Sequence, residues 1–194
     1  KPLYGTARVQ GSKNGALAVL AGCLVMNGIS VLENVPQITE VDVTLDILRG
    51  LGCRVKREGD RVTVDPQGFM RVEHPVLTCR ESGSTLRFMI PLAMIMGKPT
   101  KFTGAKRLLE RPMTVYESLC KEKNIDYNFD GKTITVSGKS EGGEYNVVGN
   151  ISSQFISGLI FALPLAKEDS LIKITPPIES RSYIDLTLSA VKSF

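Results

Sequence analysis

The 194-residue sequence is 42% hydrophobic and 23% charged, which supports a packed core and excludes a disordered chain. Its longest apolar runs, residues 16–26 and 155–166, are about a dozen residues each, too short for a membrane span. A net charge of +4 favours anionic ligands but falls short of a nucleic-acid-binding tail, so neither nucleic acid nor membrane is an expected partner.

In chain order, residues 6–9 are the first strand candidate. Gly11-Ser12-Lys13-Asn14 then leads into a helical run over 16–26. A β-like stretch follows around Leu32. A second, amphipathic helix starts near Asp42, with Val43, Ile47, Leu48 and Leu51 at helical spacing. Val55 opens a strand that returns through Gly59-Asp60.

The succession then restarts. A strand over 76–78 precedes Ser82-Gly83-Ser84 and a helical run over 86–96. A strand near Phe102 precedes a second helix, whose first turn suits Pro112 and Met113. Ile125 opens a strand that returns through Asp130-Gly131, a strong hairpin signal. In the third round a strand over 145–148 leads to Ser152-Ser153-Gln154, a helical run over 155–166, a strand near Ile172 and a helix from Ser182.

Ser12, Ser82 and Ser152 lie 70 residues apart, and the following strands and second helices keep that period. The expected fold is therefore α/β (α+β): one domain over 1–194, built of three strand-helix-strand-helix-hairpin units at about 1–70, 71–140 and 141–194. The third hairpin is due at 195–206, past Phe194, so the expectation is a domain cut from a longer polypeptide.

Four cysteines form no CxxC pair and read as reduced thiols of a cytoplasmic protein. Cys23 and Cys120 read as small buried hydrophobes, and nothing near Cys79 marks a depressed pKa. Met89, Met94 and Met96 read as core filling. The one histidine, His74, removes His-rich zinc sites and speaks against Ser-His-Asp chemistry. Neither GxGxxG nor GxxxxGK[ST] occurs, and no cofactor or metal is expected.

The chemistry lies where the helices begin. Unpaired N–H groups and the helix dipole make such ends receptive to phosphate and carboxylate. Ser12, Ser84, Ser152 and Ser153 add hydroxyls, and Lys13 adds a point charge. Taken singly, a serine before a helix is usually only an N-cap, so the weight rests on their common period. Residues 104–112 gather Lys106, Arg107 and Arg111 with Glu110, either as a bidentate anion clamp or as a solvated loop with a Glu110–Arg111 contact. Gly83 lets a ligand or another backbone approach closely. Arg87, one turn into its helix, reaches either that mouth or an ion pair with Glu81. Tyr183 offers a ring and a hydroxyl, either to a ligand or as a surface staple.

Together these segments resemble the enolpyruvyl transferase family, over almost the whole chain. The matching stretches are Gly11-Ser12-Lys13, Glu81-Ser82-Gly83-Ser84-Thr85-Leu86-Arg87, Arg107 with Glu110-Arg111-Pro112, Ser152-Ser153-Gln154-Phe155, and Ser180 with Tyr183-Ile184-Asp185. The resemblance implies a domain of three βαβαββ units arranged as an inside-out α/β barrel, with a partner domain and the last hairpin absent from this chain. It implies transfer of the enolpyruvyl group of phosphoenolpyruvate to the 5-hydroxyl of shikimate 3-phosphate, with loss of phosphate, on the route to aromatic amino acids.

By the same resemblance, Lys13 contacts both substrates and Arg107 and Gly83 hold phosphoenolpyruvate with Gln154 nearby, Lys13 and Arg107 being the catalytic pair. Asn14 and Ser84 complete the binding set, and Ser152, Ser153, Gln154, Ser180 and Tyr183 hold shikimate 3-phosphate. Acid/base carboxylates are expected in the partner domain, so the chain alone is not expected to turn over.

Lys13-Asn14-Gly15-Ala16-Leu17 departs from the shikimate branch, which usually continues Ser-x-Ser-x-Arg after the lysine. It leans toward the branch acting on UDP-N-acetylglucosamine, as does Glu33-Asn34-Val35-Pro36 with Val41-Asp42. That branch carries a cysteine in the loop matching 104–107, and none is present here. Three later segments favour the shikimate branch, which is the assignment. A non-catalytic module binding anions or nucleic acid is the alternative of another class, and interspersed Asp and Glu argue against it.

Overall fold

A computed structural model of the chain describes residues 4–6 and 9–193. The strand expected over 6–9 includes positions outside that set. The remaining elements keep the expected succession. α1 (Lys13–Gly22) ends in a 3₁₀ turn over Cys23–Val25 and is followed by β1 (Ser30–Leu32), α2 (Thr39–Gly50), β2 (Arg54–Glu58) and β3 (Arg61–Asp65). Next come β4 (Val76–Thr78), α3 (Gly83–Met96), β5 (Thr100–Thr103), the one-turn α4 (Lys106–Leu109), α5 (Thr114–Glu122), β6 (Asp126–Phe129) and β7 (Ile134–Ser137). The chain continues through β8 (Gly143–Val148), α6 (Ser153–Ala162) with a 3₁₀ turn over Leu163–Leu165, β9 (Ser170–Thr175) and α7 (Arg181–Lys192).

Strand pairing repeats with the sequence. β1 runs antiparallel to β3, and β5 runs antiparallel to β7, the return strand of its own hairpin. β4–β5 and β8–β9 are both parallel pairs. The described residues thus form three separate sheets, ordered β1-β3-β2, β4-β5-β7-β6 and β8-β9, which do not join into a closed barrel. Gly59 and Asp60 make the two-residue turn between paired Glu58 and Arg61, with Gly59 at a left-handed φ of 63° that favours glycine. In the second hairpin the Asp130 carboxylate accepts from the backbone N–H groups of Lys132 and Thr133 at 2.8 and 2.7 Å, closing an Asx turn.

Helices stand inside and sheets outside. α3 is buried on nearly every side, from Thr85 and Leu86 through Met96, because its sequence is apolar all round. It packs on α6, which is buried from Phe155 to Leu159. The sheets turn alternate residues inward: Val62 and Val64, Ile134 and Val136, Tyr145 and Val147 are buried.

The amphipathic reading of α2 holds, with Val43, Ile47, Leu48 and Leu51 all buried. The helix starts at Thr39, ahead of the expected Asp42, and Glu40 and Asp42 then occupy its first turn, where the dipole favours acids. Pro112 stands two residues before α5. Met113, whose carbonyl accepts from Tyr116 and Glu117, caps the helix, so the proline ends the preceding loop rather than opening the first turn. The three methionines and all four cysteines are buried, and burial pushes the Cys79 thiol up to about 12, removing it as a nucleophile near neutral pH.

Pro91 inside α3 takes one donor out of the helix ladder. It has no N–H to give the Arg87 carbonyl one turn earlier. The hydroxyl of buried Tyr116 donates to that carbonyl instead, at 2.6 Å, and lies 3.1 Å from the Phe155 carbonyl oxygen. α5 thereby clamps α3 to α6. Gly158 sits at the same crossing, where a Cβ would collide with the Arg87 carbonyl oxygen and lie 2.5 Å from the Tyr116 hydroxyl.

Candidate functional site

The period brings helix beginnings together. Lys13 and Asn14 of α1, Ser84 of α3, and Ser152, Ser153 and Gln154 of α6 line one pocket of about 330 Å³, and α7 closes it with Ser180, Tyr183 and Thr187. Positions 14, 84 and 154 are thus equivalent in the three units and share one cavity, and Gln154 Nε2 donates to Ser84 Oγ at 2.8 Å.

Two of the three periodic serines act as N-caps. Ser12 Oγ accepts from Gly15 N at 3.2 Å and Ser152 Oγ from Gln154 N at 3.3 Å. The third, Ser82, makes no such bond, and its hydroxyl lies 2.6 Å from Thr85 Oγ1. Ser12 lies outside the pocket lining.

Lys13 reaches the cavity from a half-exposed position, with Nζ 3.4 Å from Glu40 Oε1. Such an exposed pair contributes at most about 1 kcal/mol, so an anion can compete for the ammonium. Ser180 begins α7 at φ 53°, a left-handed conformation uncommon outside glycine, and presents that end to the pocket. Tyr183 is 46% exposed and lines the mouth of the pocket.

Arg107 and Gly83 stand apart from this lining. Arg107 is exposed on α4. Gly83 faces the guanidinium groups of Arg111 and Arg87: a Cβ there would lie 2.9 Å from Arg111 Nη1 and 3.8 Å from Arg87 Nη1. Across 104–112 the Glu110–Arg111 contact is replaced by Lys106–Glu110 at 3.8 Å, the i,i+4 spacing that a helical turn creates.

Arg87 makes no ion pair with Glu81. Its Nη1 donates to Gln154 Oε1 at 2.7 Å, and its Cζ lies 5.1 Å from the Phe155 ring centroid. Burial pulls its pKa below the usual value, Tyr116 opposes that shift and Arg111 adds to it.

Sequence reasoning missed Leu17, Ala18, Phe88, Ser157, Leu186 and Thr187 as lining residues. Ser157 and Thr187 hydroxyls lie 2.7 Å apart and join α6 to α7, while Thr187 Oγ1 lies 2.8 Å from the Tyr183 carbonyl oxygen. Two of the six, Leu17 and Ser157, stand at the positions equivalent to Arg87 in the period of 70.

The one charged group among the described lining residues is the Lys13 ammonium, and the neutral polar groups are hydroxyls and amides. Among the described residues no group of three His, Cys, Asp or Glu is placed to hold a metal ion, and no helix is long and apolar enough to cross a membrane. Fold and site together define a repeat-built α/β domain with an anion-receptive cavity where its inner helices begin.

Known proteins share this fold. A family model described as EPSP synthase (3-phosphoshikimate 1-carboxyvinyltransferase) matches residues 1–194. The chain is 36% identical over 195 residues to a 3-phosphoshikimate 1-carboxyvinyltransferase of Clostridium perfringens, covering 99% of this chain and 46% of that protein. A Clostridium kluyveri protein of the same name is 37% identical over 194 residues, with the same coverage of 99% and 46%. A solved EPSP synthase structure from Acinetobacter baumannii superposes with a TM-score of 0.72 at 17% identity, over 92% of this chain and 42% of that one, and so shares the fold. The chain belongs to the EPSP synthase family. It spans about half the length of the curated relatives it matches.

Proposed function

We propose that the chain is one domain of a carboxyvinyl transferase that moves the enolpyruvyl group of phosphoenolpyruvate to the 5-hydroxyl of shikimate 3-phosphate. The carrying observation is the shared pocket of α1, α3, α6 and α7, whose lining residues present donors and a lysine but no carboxylate. Both substrates carry phosphate and carboxylate, so such a cavity lowers their energy when bound and disfavours cations. Ser152, Ser153, Gln154, Ser180 and Tyr183 hold the phosphorylated ring. Lys13 and Asn14 close over it from α1, and Ser84 reaches it from α3. A volume of about 330 Å³ has room for a six-membered ring with one phosphate. The Clostridium relatives likewise carry the shikimate name, not the sugar-nucleotide one.

Phosphoenolpyruvate binds beside this site, toward Gly83 and Arg107. The 5-hydroxyl gives up its proton as it attacks C2 of the enolpyruvyl group and C3 gains a proton; the tetrahedral adduct then loses phosphate from C2 and a proton from C3, which restores the vinyl double bond. Lys13 stabilises charge on both partners. The acid/base carboxylates belong to a second domain, whose closure expels water and completes the site. The protein acts in the cytoplasm, where its four buried thiols remain reduced.

The test is ligand titration by calorimetry in the full-length protein. Lys13→Ala is expected to weaken shikimate 3-phosphate binding by about tenfold or more, the worth of a charge-assisted hydrogen bond, with little change in thermal midpoint because the side chain is half exposed. Unchanged affinity would overturn the assignment.

A further inference from the structure

We propose that Arg87 is the positioning residue that sets the polarity of the pocket, holding Gln154 so that its amide nitrogen and, through it, the Ser84 hydroxyl face the ligand as donors. The family reading supplies only the choice of ligand. The orientation itself comes from the chemistry of the groups in contact.

A guanidinium has donors and no acceptor. Its Nη1 lies 2.7 Å from the Gln154 side chain, so the amide must turn its oxygen toward Arg87. That fixes Nε2 on the opposite side, 2.8 Å from Ser84 Oγ. The Ser84 oxygen then accepts, and its own proton has no protein acceptor among the described residues. One N–H of Gln154 is likewise unclaimed. Both side chains line the pocket and both keep a proton for it: the Gln154 oxygen is committed to Arg87, and Ser84, with one lone pair taken, has its O–H free. The chain running Arg87 to Gln154 to Ser84 thus ends in a free O–H, which suits an anion.

Arg87 is itself over-determined, as a positioning group requires. The carbonyl that Pro91 leaves free is held by the Tyr116 hydroxyl, and the guanidinium stacks near Phe155. Its Nε is buried without a hydrogen-bond partner. Burying a cation with an unpaired N–H is unfavourable for stability, and an apolar side chain of similar length would fill the space at lower cost. The equivalent positions in the other units carry Leu17 and Ser157, so the repeat does not demand a cation there.

The experiment uses the full-length protein with Arg87→Met and Gln154→Glu. Nuclear magnetic resonance follows the Gln154 side-chain NH2 signals without ligand, and calorimetry follows shikimate 3-phosphate and inorganic phosphate. Arg87→Met is expected to shift or broaden the Gln154 signals and to weaken shikimate 3-phosphate binding about tenfold. Gln154→Glu retains an oxygen for Arg87 and is expected to leave the thermal midpoint unchanged. It is expected to lose at least as much affinity, because the carboxylate takes the Ser84 proton and repels the anion.

Unmoved Gln154 signals in Arg87→Met overturn the proposal, including where affinity falls, since Arg87 would then act on the ligand directly. If Arg87→Met does not fold, Gln154→Glu decides, and unchanged affinity there overturns it. Absence of binding by the unaltered protein refutes the family-based reading of the ligand instead, while the ligand-free signals still decide the positioning role.

Discussion

Thr85 has nearly the shape of valine, yet its Oγ1 stands between Ser82 Oγ at 2.6 Å and Thr44 Oγ1 at 2.9 Å, and all three side chains are buried. Thr44 passes the chain on to the Glu40 carbonyl at 2.9 Å, which ties the start of α3 to α2. Thr85→Val keeps the packing but leaves Ser82 with no partner. The expected loss is about 1–3 kcal/mol of unfolding free energy in urea, with an unchanged m-value. At this scale the sequence was legible wherever a residue type has one dominant use. The cysteines, the methionines and the caps at Ser12 and Ser152 are cases in point. It was illegible where a partner lies far along the chain. Nothing local shows that Arg87 meets Gln154 instead of Glu81, because that pairing exists only once α3 and α6 are packed side by side.

The α3–α6 crossing shows how elements constrain one another. In an exposed helix Gly→Ala stabilises by about 1 kcal/mol. At Gly158 the same change drives a methyl into the Arg87 carbonyl and the Tyr116 hydroxyl. Gly158→Ala is therefore expected to destabilise by about 1–3 kcal/mol in thermal or denaturant unfolding, and stabilisation would show that the crossing gives way. The period of 70 foretold the order of elements and the kinship of positions 14, 84 and 154, since hydrophobic rhythm and turn residues are local signals. It did not foretell where elements begin. α2 starts ahead of Asp42 because acidic residues favour a first turn, and Pro112 falls before α5 rather than in it. The expected loop at 104–112 holds the single turn of α4, too short to leave a periodic trace.

For the molecule as a whole, mixed α/β architecture and the gathering of Lys13, Ser84 and Ser152 to Gln154 around one cavity were both readable from repeat and spacing. The separation into three unjoined sheets was not, because register between sheets depends on how the inner helices pack. That inward placement of helices also governs how the structure opens to solvent. α3 lies beneath other elements along nearly its whole length, so deuterium reaches its backbone amides only when most of the molecule comes apart. Amides of residues 92–96 are expected to exchange slowest in a time course, at a rate matching the unfolding free energy from denaturant. Those of β9, with a partner on one side only among the described residues, are expected to exchange orders of magnitude sooner. Faster exchange in α3 than in β9 would mean that the protein comes apart from its centre outward.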